Sequence, residues 1–356
     1  MADQSVEIQD PLLVEKLADL FGFGLLSDKL PGDVYPPYLF AGFFLLVDHG
    51  IVNVYIHLTG GTHVLVDVPN IVAGPPAVLL AAFGIRYMTN RYQDAIADIR
   101  LHDRLDDEET ISPFRRVVPW RAKLAVYLAA VVVLYANIFF AVGLENINRP
   151  GGGLIELVNW LVIFEFVYLP FVVEFALVYY GIHFLVPRRI ERAGIGLSFF
   201  DPRNMGGFAE LGQLLKRSYY LYTAGLLLFF VVVYGAVIFS FGSTPAGLFE
   251  VVFFSSVWLI GVASIGYSML TMHRIMSGEK RERIRELEHE LQDAIENPYD
   301  ITEATLPEEG ELDDIRRRIE AVKATRVYPA TFTMWSQIAI SVLLPQVLQL
   351  VVQTTT

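Results

Sequence analysis

Residues 248–272, LFEVVFFSSVWLIGVASIGYSMLTM, run without a break into the charged stretch 273–296, HRIMSGEKRERIRELEHELQDAIE. A helix needs about 20 mostly apolar residues to cross hydrocarbon, because lipid offers no partner for an exposed backbone N–H or C=O. The first stretch meets that length. The second keeps helical spacing, with Ile284, Leu287, Leu291 and Ile295 at intervals of three and four, so one helix is expected to leave the bilayer and continue into water. After a breaking segment at 297–310, Leu312, Ile315, Ile319 and Val322 repeat the spacing. Two such stripes either pair as an antiparallel hairpin or meet copies from other subunits.

Working outward, further apolar stretches lie near 37–58, 65–85, 124–144, 154–185, 219–241 and 330–353, about seven spans in all. The stretch at 65–85 is the weakest, since Asp67 interrupts it and Pro75 and Pro76 would kink it. Charge supports it nonetheless. With it, every Lys and Arg except Arg149 falls in the N-terminal tail or in a loop after an even-numbered span, as cytoplasmic loops require. Trp120, Tyr219, Tyr220, Tyr328 and Trp335 sit at the corresponding inner edges. The expected fold is therefore an all-α integral membrane protein, N-terminus inside and C-terminus outside, with a cytoplasmic helical bundle. Its parts are an interfacial N-terminal segment (1–35), a six-span region (36–273), a cytoplasmic hairpin (274–329) and a seventh span (330–356). Residues 10–21, with Asp10 as N-cap, Pro11 next and Leu13, Leu17 and Leu20 on one face, read as a helix on the inner membrane surface.

Composition narrows the function. Hydrophobic residues make up 54% of 356, and the net charge is −12, which argues against nucleic-acid binding. The absence of cysteine excludes disulfides, thiol catalysis and Cys-ligated metals. No phosphate loop or hydrolase motif occurs, so neither an enzyme nor a cofactor is expected. Asp201 to Gly207 read as a turn.

Polar groups inside lipid are costly and are the first place to look for chemistry. Asp48 and His49 lie in the middle of the first span, Asn53 and His57 follow His49 on one face, and Glu165 lies at similar depth in the fourth, between Glu156 and Glu174. Asp48, His49, Asn53 and Glu165 fit a ligand, ion or proton site; they equally fit a hydrogen-bonded network that fixes packing. In the last span Gln346, Gln349 and Gln353 form a polar stripe beside Val352 beyond Pro345. Facing an axis shared by several copies it would line a pore; otherwise it would join helices. His183 and His273 lie near inner span ends without a nearby carboxylate, a poor metal site. Gly261, Ser264 and Ser268 read as a close helix contact.

This layout, with elongated fourth and sixth spans feeding a cytoplasmic bundle and a final span beyond it, resembles the insect odorant and gustatory receptor superfamily of seven-transmembrane ion channels. The resemblance implies four subunits anchored through 279–326 and the ends of spans four and five, and a cation pore lined by Gln346, Gln349, Val352 and Gln353. The chain departs from the gustatory branch by reading Trp335-Ser336-Gln337 where that branch carries a Thr-Tyr pattern. The leading expectation is an oligomeric, tetrameric channel-like protein of the cell membrane, with the lipid bilayer, further copies and a small ligand or ion as partners. The alternatives are a secondary transporter or proton-coupled sensor using the Asp/His/Glu cluster, and a non-transporting scaffold.

Overall fold

The computed structural model describes residues 12–32, 34–61, 72–105, 107–143, 153–238, 248–295 and 309–329, together with Leu343 and Val347. Helices α1 (Leu13–Leu20) and α2 (Phe23–Ser27) precede α3 (Pro36–Leu58). They are followed by α4 (Gly74–Ile99), α5 (Trp120–Asn137), α6 (residues 153–193), α7 (Ala209–Ile238), α8 (Leu248–Asp293) and α9 (Glu309–Ala324). Among the described residues there is no strand. Four stretches are long and apolar enough to cross a membrane: Pro36–Leu58, Glu108–Phe140, Leu161–Ala193 and Phe254–Asp293. Within the most apolar part of each, at most 39% of the residues are buried inside the chain, and Phe140 is 91% exposed. So much uncovered apolar surface calls for lipid rather than water around the bundle. Apart from Leu343 and Val347, the expected last span lies outside the described residues, as do the first part of the stretch at 65–85, Asp10 and Pro11.

Several rods are not uniform α-helix. Wider π-helical turns occupy Leu46–Val52 in α3, Ile138–Val142 after α5, and Asn159–Tyr168 and Gly181–Leu185 in α6. The two in α6 have a local cause. Pro170 and Pro187 stand two residues beyond their ends, and a proline lacks the N–H and crowds the carbonyl one turn back, so the preceding turn opens. Asp48, His49, Asn159, Glu165, Tyr168 and His183 all lie on these opened turns.

Apolar side chains do not drive helix association within lipid, so close approach and polar contacts carry more of it. At Gly181 a Cβ would stand 2.7 Å from Val118 Cγ2 and 2.8 Å from Val117 Cγ1. The Tyr222 ring lies directly over Gly261, in space any larger residue would occupy. Toward one end, α4, α6, α7 and α8 close around a large core including Tyr92, Tyr179, Ile182, Leu215, Met269 and Met272. Beyond that core α8 and α9 pair through Leu287, Ile315, Ile319 and Val322. Arg318 of α9 reaches Glu290 of α8, and Lys280 Nζ donates to the carbonyls of Lys323 (2.7 Å) and Thr325 (2.6 Å). These ion pairs mark the charged end of the molecule, and α1 lies beside the large core, its cluster with Tyr127 and Val173 sharing Leu177 with it.

The N-terminal helix differs from expectation. Leu13, Val14 and Ala18 are its buried residues, whereas Leu20 is 78% exposed. It docks on the bundle through Leu13, Val14 and Ala18, with Leu17 packed beside them, and of the expected Leu13, Leu17 and Leu20 face only Leu20 points away. The physical reason is polar: its first amides have no intrahelical acceptor, and α6 supplies one.

Candidate functional site

Two polar centres lie along α6. The first gathers around Asp48, which is 5% exposed. Asn159 Nδ2 donates to its Oδ1 at 2.8 Å and the Tyr168 hydroxyl to its Oδ2 at 2.9 Å. Asn53 Nδ2 donates to the backbone carbonyl of Asp48 at 2.9 Å. His49 Nδ1 stands 3.3 Å from Oδ2, within ion-pair distance but without hydrogen-bond geometry. The carboxylate thus bridges α3 to the opened turn of α6, and the wide turn lets Asn159 and Tyr168, nine residues apart, reach one group.

Glu165 lies on the same turn and is fully buried. Neither of its carboxylate oxygens has a hydrogen-bond partner, and Asn159 Oδ1 and His49 Nδ1 are likewise unmatched. The Tyr127 hydroxyl of α5 donates to the backbone carbonyl of Glu165 at 3.2 Å, and the Tyr135 hydroxyl donates to that of Leu161 at 2.6 Å. Asp48, His49 and Asn53 are therefore brought together, while the Glu165 side chain bonds to none of them. Buried polar groups are nearly always paired, so an orphaned carboxyl calls for an explanation.

The second centre involves residues that spacing along the chain did not connect. Glu174 and Lys123 are buried, and Lys123 Nζ lies 3.1 Å from Glu174 Oε1. The Leu13 amide donates to Oε1 at 2.8 Å and the Val14 amide to Oε2 at 2.9 Å. A carboxylate thus caps the positive end of α1 while pairing with a lysine of α5. Lys16 Nζ sits 3.9 Å over the Trp120 ring, and Glu15 accepts from the Tyr35 hydroxyl at 2.9 Å. A signal for Lys123 was present: it lies one helical turn before Tyr127, at the head of an apolar run.

Nearer the charged end, both ring nitrogens of His183 are engaged, Nδ1 with Ser268 Oγ (3.0 Å) and Nε2 with Ser218 Oγ (3.1 Å). Tyr179 meets Ser264 at 2.7 Å and stacks on Tyr222 at 4.4 Å. Gly261, Ser264 and Ser268 form the close contact expected of them. His273 instead faces the Val327 carbonyl at 2.9 Å and stacks on Tyr328, so the two histidines share no metal. No group of three metal-ligating side chains occurs among the described residues.

The proposed pore residues Gln346, Gln349, Val352 and Gln353, and the Glu156 side chain, lie outside the described residues. Comparison with protein-family models, with curated proteins and with solved structures finds no match to this chain. The likeness to the odorant and gustatory receptor superfamily accordingly rests on layout alone.

Proposed function

We propose that this is a multi-pass protein of the cell membrane, N-terminus inside and about seven spans, that moves or senses protons through Glu165 and the adjoining Asp48–His49 network. One observation carries the reading: Glu165 is fully buried and both carboxylate oxygens lack a partner. A bare carboxylate in a low-dielectric interior is untenable, so the group must hold a proton or meet a cation. A proton fits best, since no set of three ligating side chains surrounds it among the described residues. The opened turns beneath Glu165 and Asp48 give the two helices room to change register, a frequent property of π-helical segments at working sites.

The test is proton flux into proteoliposomes under a pH gradient, read with an internal dye. Glu165→Gln is expected to reduce flux at least tenfold with the protein still folded, and Asp48→Asn to reduce it less. Unchanged flux in Glu165→Gln returns the network to a packing role.

The second reading is a homotetrameric, ligand-gated cation channel lined by Gln346 and Gln349. Its support is the paired α8–α9 extension beyond the core, the kind of element that could anchor subunits to one another. Altered single-channel conductance in Gln349→Leu would favour it, and a monomer in nanodiscs would remove it.

A further inference from the structure

Glu174 is neutralised from two directions of different permanence. Lys123 belongs to a long helix of the bundle, whereas the Leu13 and Val14 amides belong to an eight-residue helix joined to α3 by residues 21–35. Withdrawing α1 removes two of the three donors that reach this carboxylate and leaves the bundle continuous.

The segment also has somewhere else to go. Its docked face is Leu13, Val14 and Ala18, yet Leu20, Leu25 and Leu26 are exposed, and Phe21, which packs on Phe40 and Phe44, is itself half exposed. A segment apolar on both faces loses little by moving to the bilayer interface, where its side chains stay out of water. The contacts that hold it at its edges, Lys16 over Trp120 and Glu15 with Tyr35, are of the kind an interfacial position replaces.

Its place matters because of what lies behind it. Leu13 packs in one cluster with Tyr127 and Val173, and the Tyr127 hydroxyl reaches the Glu165 carbonyl at 3.2 Å. From the charged end, the seam between α5 and α6 therefore presents the Glu174–Lys123 pair, then the layer of Leu13, Val173 and Tyr127, then Glu165. Removing α1 strips a wall from that layer.

We propose that α1 is a plug: docked on Glu174 it seals the α5–α6 seam against water from the charged end, and undocked it opens an aqueous path toward Glu165. The purpose of the plug rests on Glu165 being the working proton site; its sealing of the seam does not. The chain has no cysteine, so Val173→Cys introduces a single reactive thiol into the sealed layer. In sided proteoliposomes, a membrane-impermeant maleimide applied at the charged end should label this thiol slowly, and adding Val14→Asp should raise the rate at least tenfold. As a second measurement that leaves the docked face intact, Lys16→Cys with Trp120→Cys, bridged by a short bis-maleimide, should lose proton flux to the level of empty liposomes while the unbridged protein keeps it. A thiol that stays protected in folded Val14→Asp protein, or a bridged protein with undiminished flux, overturns the plug. Faster labelling in Val14→Asp with unchanged flux in Glu165→Gln would refute the role of Glu165 and leave the seal standing; flux that needs Glu165 with Val173→Cys always protected would refute the seal alone.

Discussion

Removing the lysine from the buried pair gives the sharpest energetic test. Lys123→Met leaves the Glu174 charge fully buried with only the Leu13 and Val14 amides as donors. Taking one partner from a buried ion pair costs about 3–5 kcal/mol, since the other charge stays uncompensated. Glu174→Gln leaves Lys123 stranded instead and should cost about the same. The double variant has no buried charge, and the glutamine carbonyl still accepts one of the two amides. Its remaining cost is the second backbone N–H and the glutamine NH2, both left without an acceptor, about 1–3 kcal/mol each. The double variant should therefore lose far less than the sum of the singles, with a coupling of several kcal/mol. Unfolding free energies measured in bicelles by steric trapping for the four proteins complete the cycle. Single losses that add to within about 0.5 kcal/mol would refute the reasoning, because such additivity means that water or headgroups already solvate both charges.

Two further outcomes follow from the geometry. Gly181→Val places a branched side chain against Val117 and Val118, where even a Cβ stands 2.7–2.8 Å from their methyl groups; it should destabilise by about 1–3 kcal/mol, read as a lower thermal midpoint in detergent, while the same change at Gly278, open within 4 Å, should be milder. The Asp201 carboxyl is pushed up by burial, but the amides of Gly207, Arg203 and Met205 and the Arg203 charge hold it below the usual carboxylate range. Its contribution is therefore present above the ordinary carboxylate pKa of about 4 and lost as pH falls through the lower folded value. Amide exchange at Met205 and Gly207, corrected for its intrinsic pH dependence, should quicken across that window, and Asp201→Asn should abolish the effect.

Much of the architecture was legible because hydropathy over about 20 residues is a local property. Four stretches long and apolar enough to cross a membrane coincide with four of the expected spans, and the stripes at 284–295 and 312–322 meet each other in the structure. The opened turns were not legible. An apolar run reads the same whether its turns hold 3.6 residues or more, and only Pro170 and Pro187 marked where two of them end. Asn159 and Tyr168 were overlooked as partners of Asp48 because their convergence depends on that opened turn.

By itself the sequence determined that the chain is helical and membrane-borne, and which stretches carry intramembrane carboxyls, since both follow from residue types within short windows. The tertiary structure alone decided which carboxyl is compensated and which is not. Glu174 and Glu165 are both glutamates in one apolar helix, yet the first meets a lysine 51 residues away and amides 160 and 161 residues away, while neither carboxylate oxygen of the second has a hydrogen-bond partner among the described residues. That difference arises from which faces of α1, α5 and α6 pack together, and the chemistry of a buried charge depends on its neighbours in space.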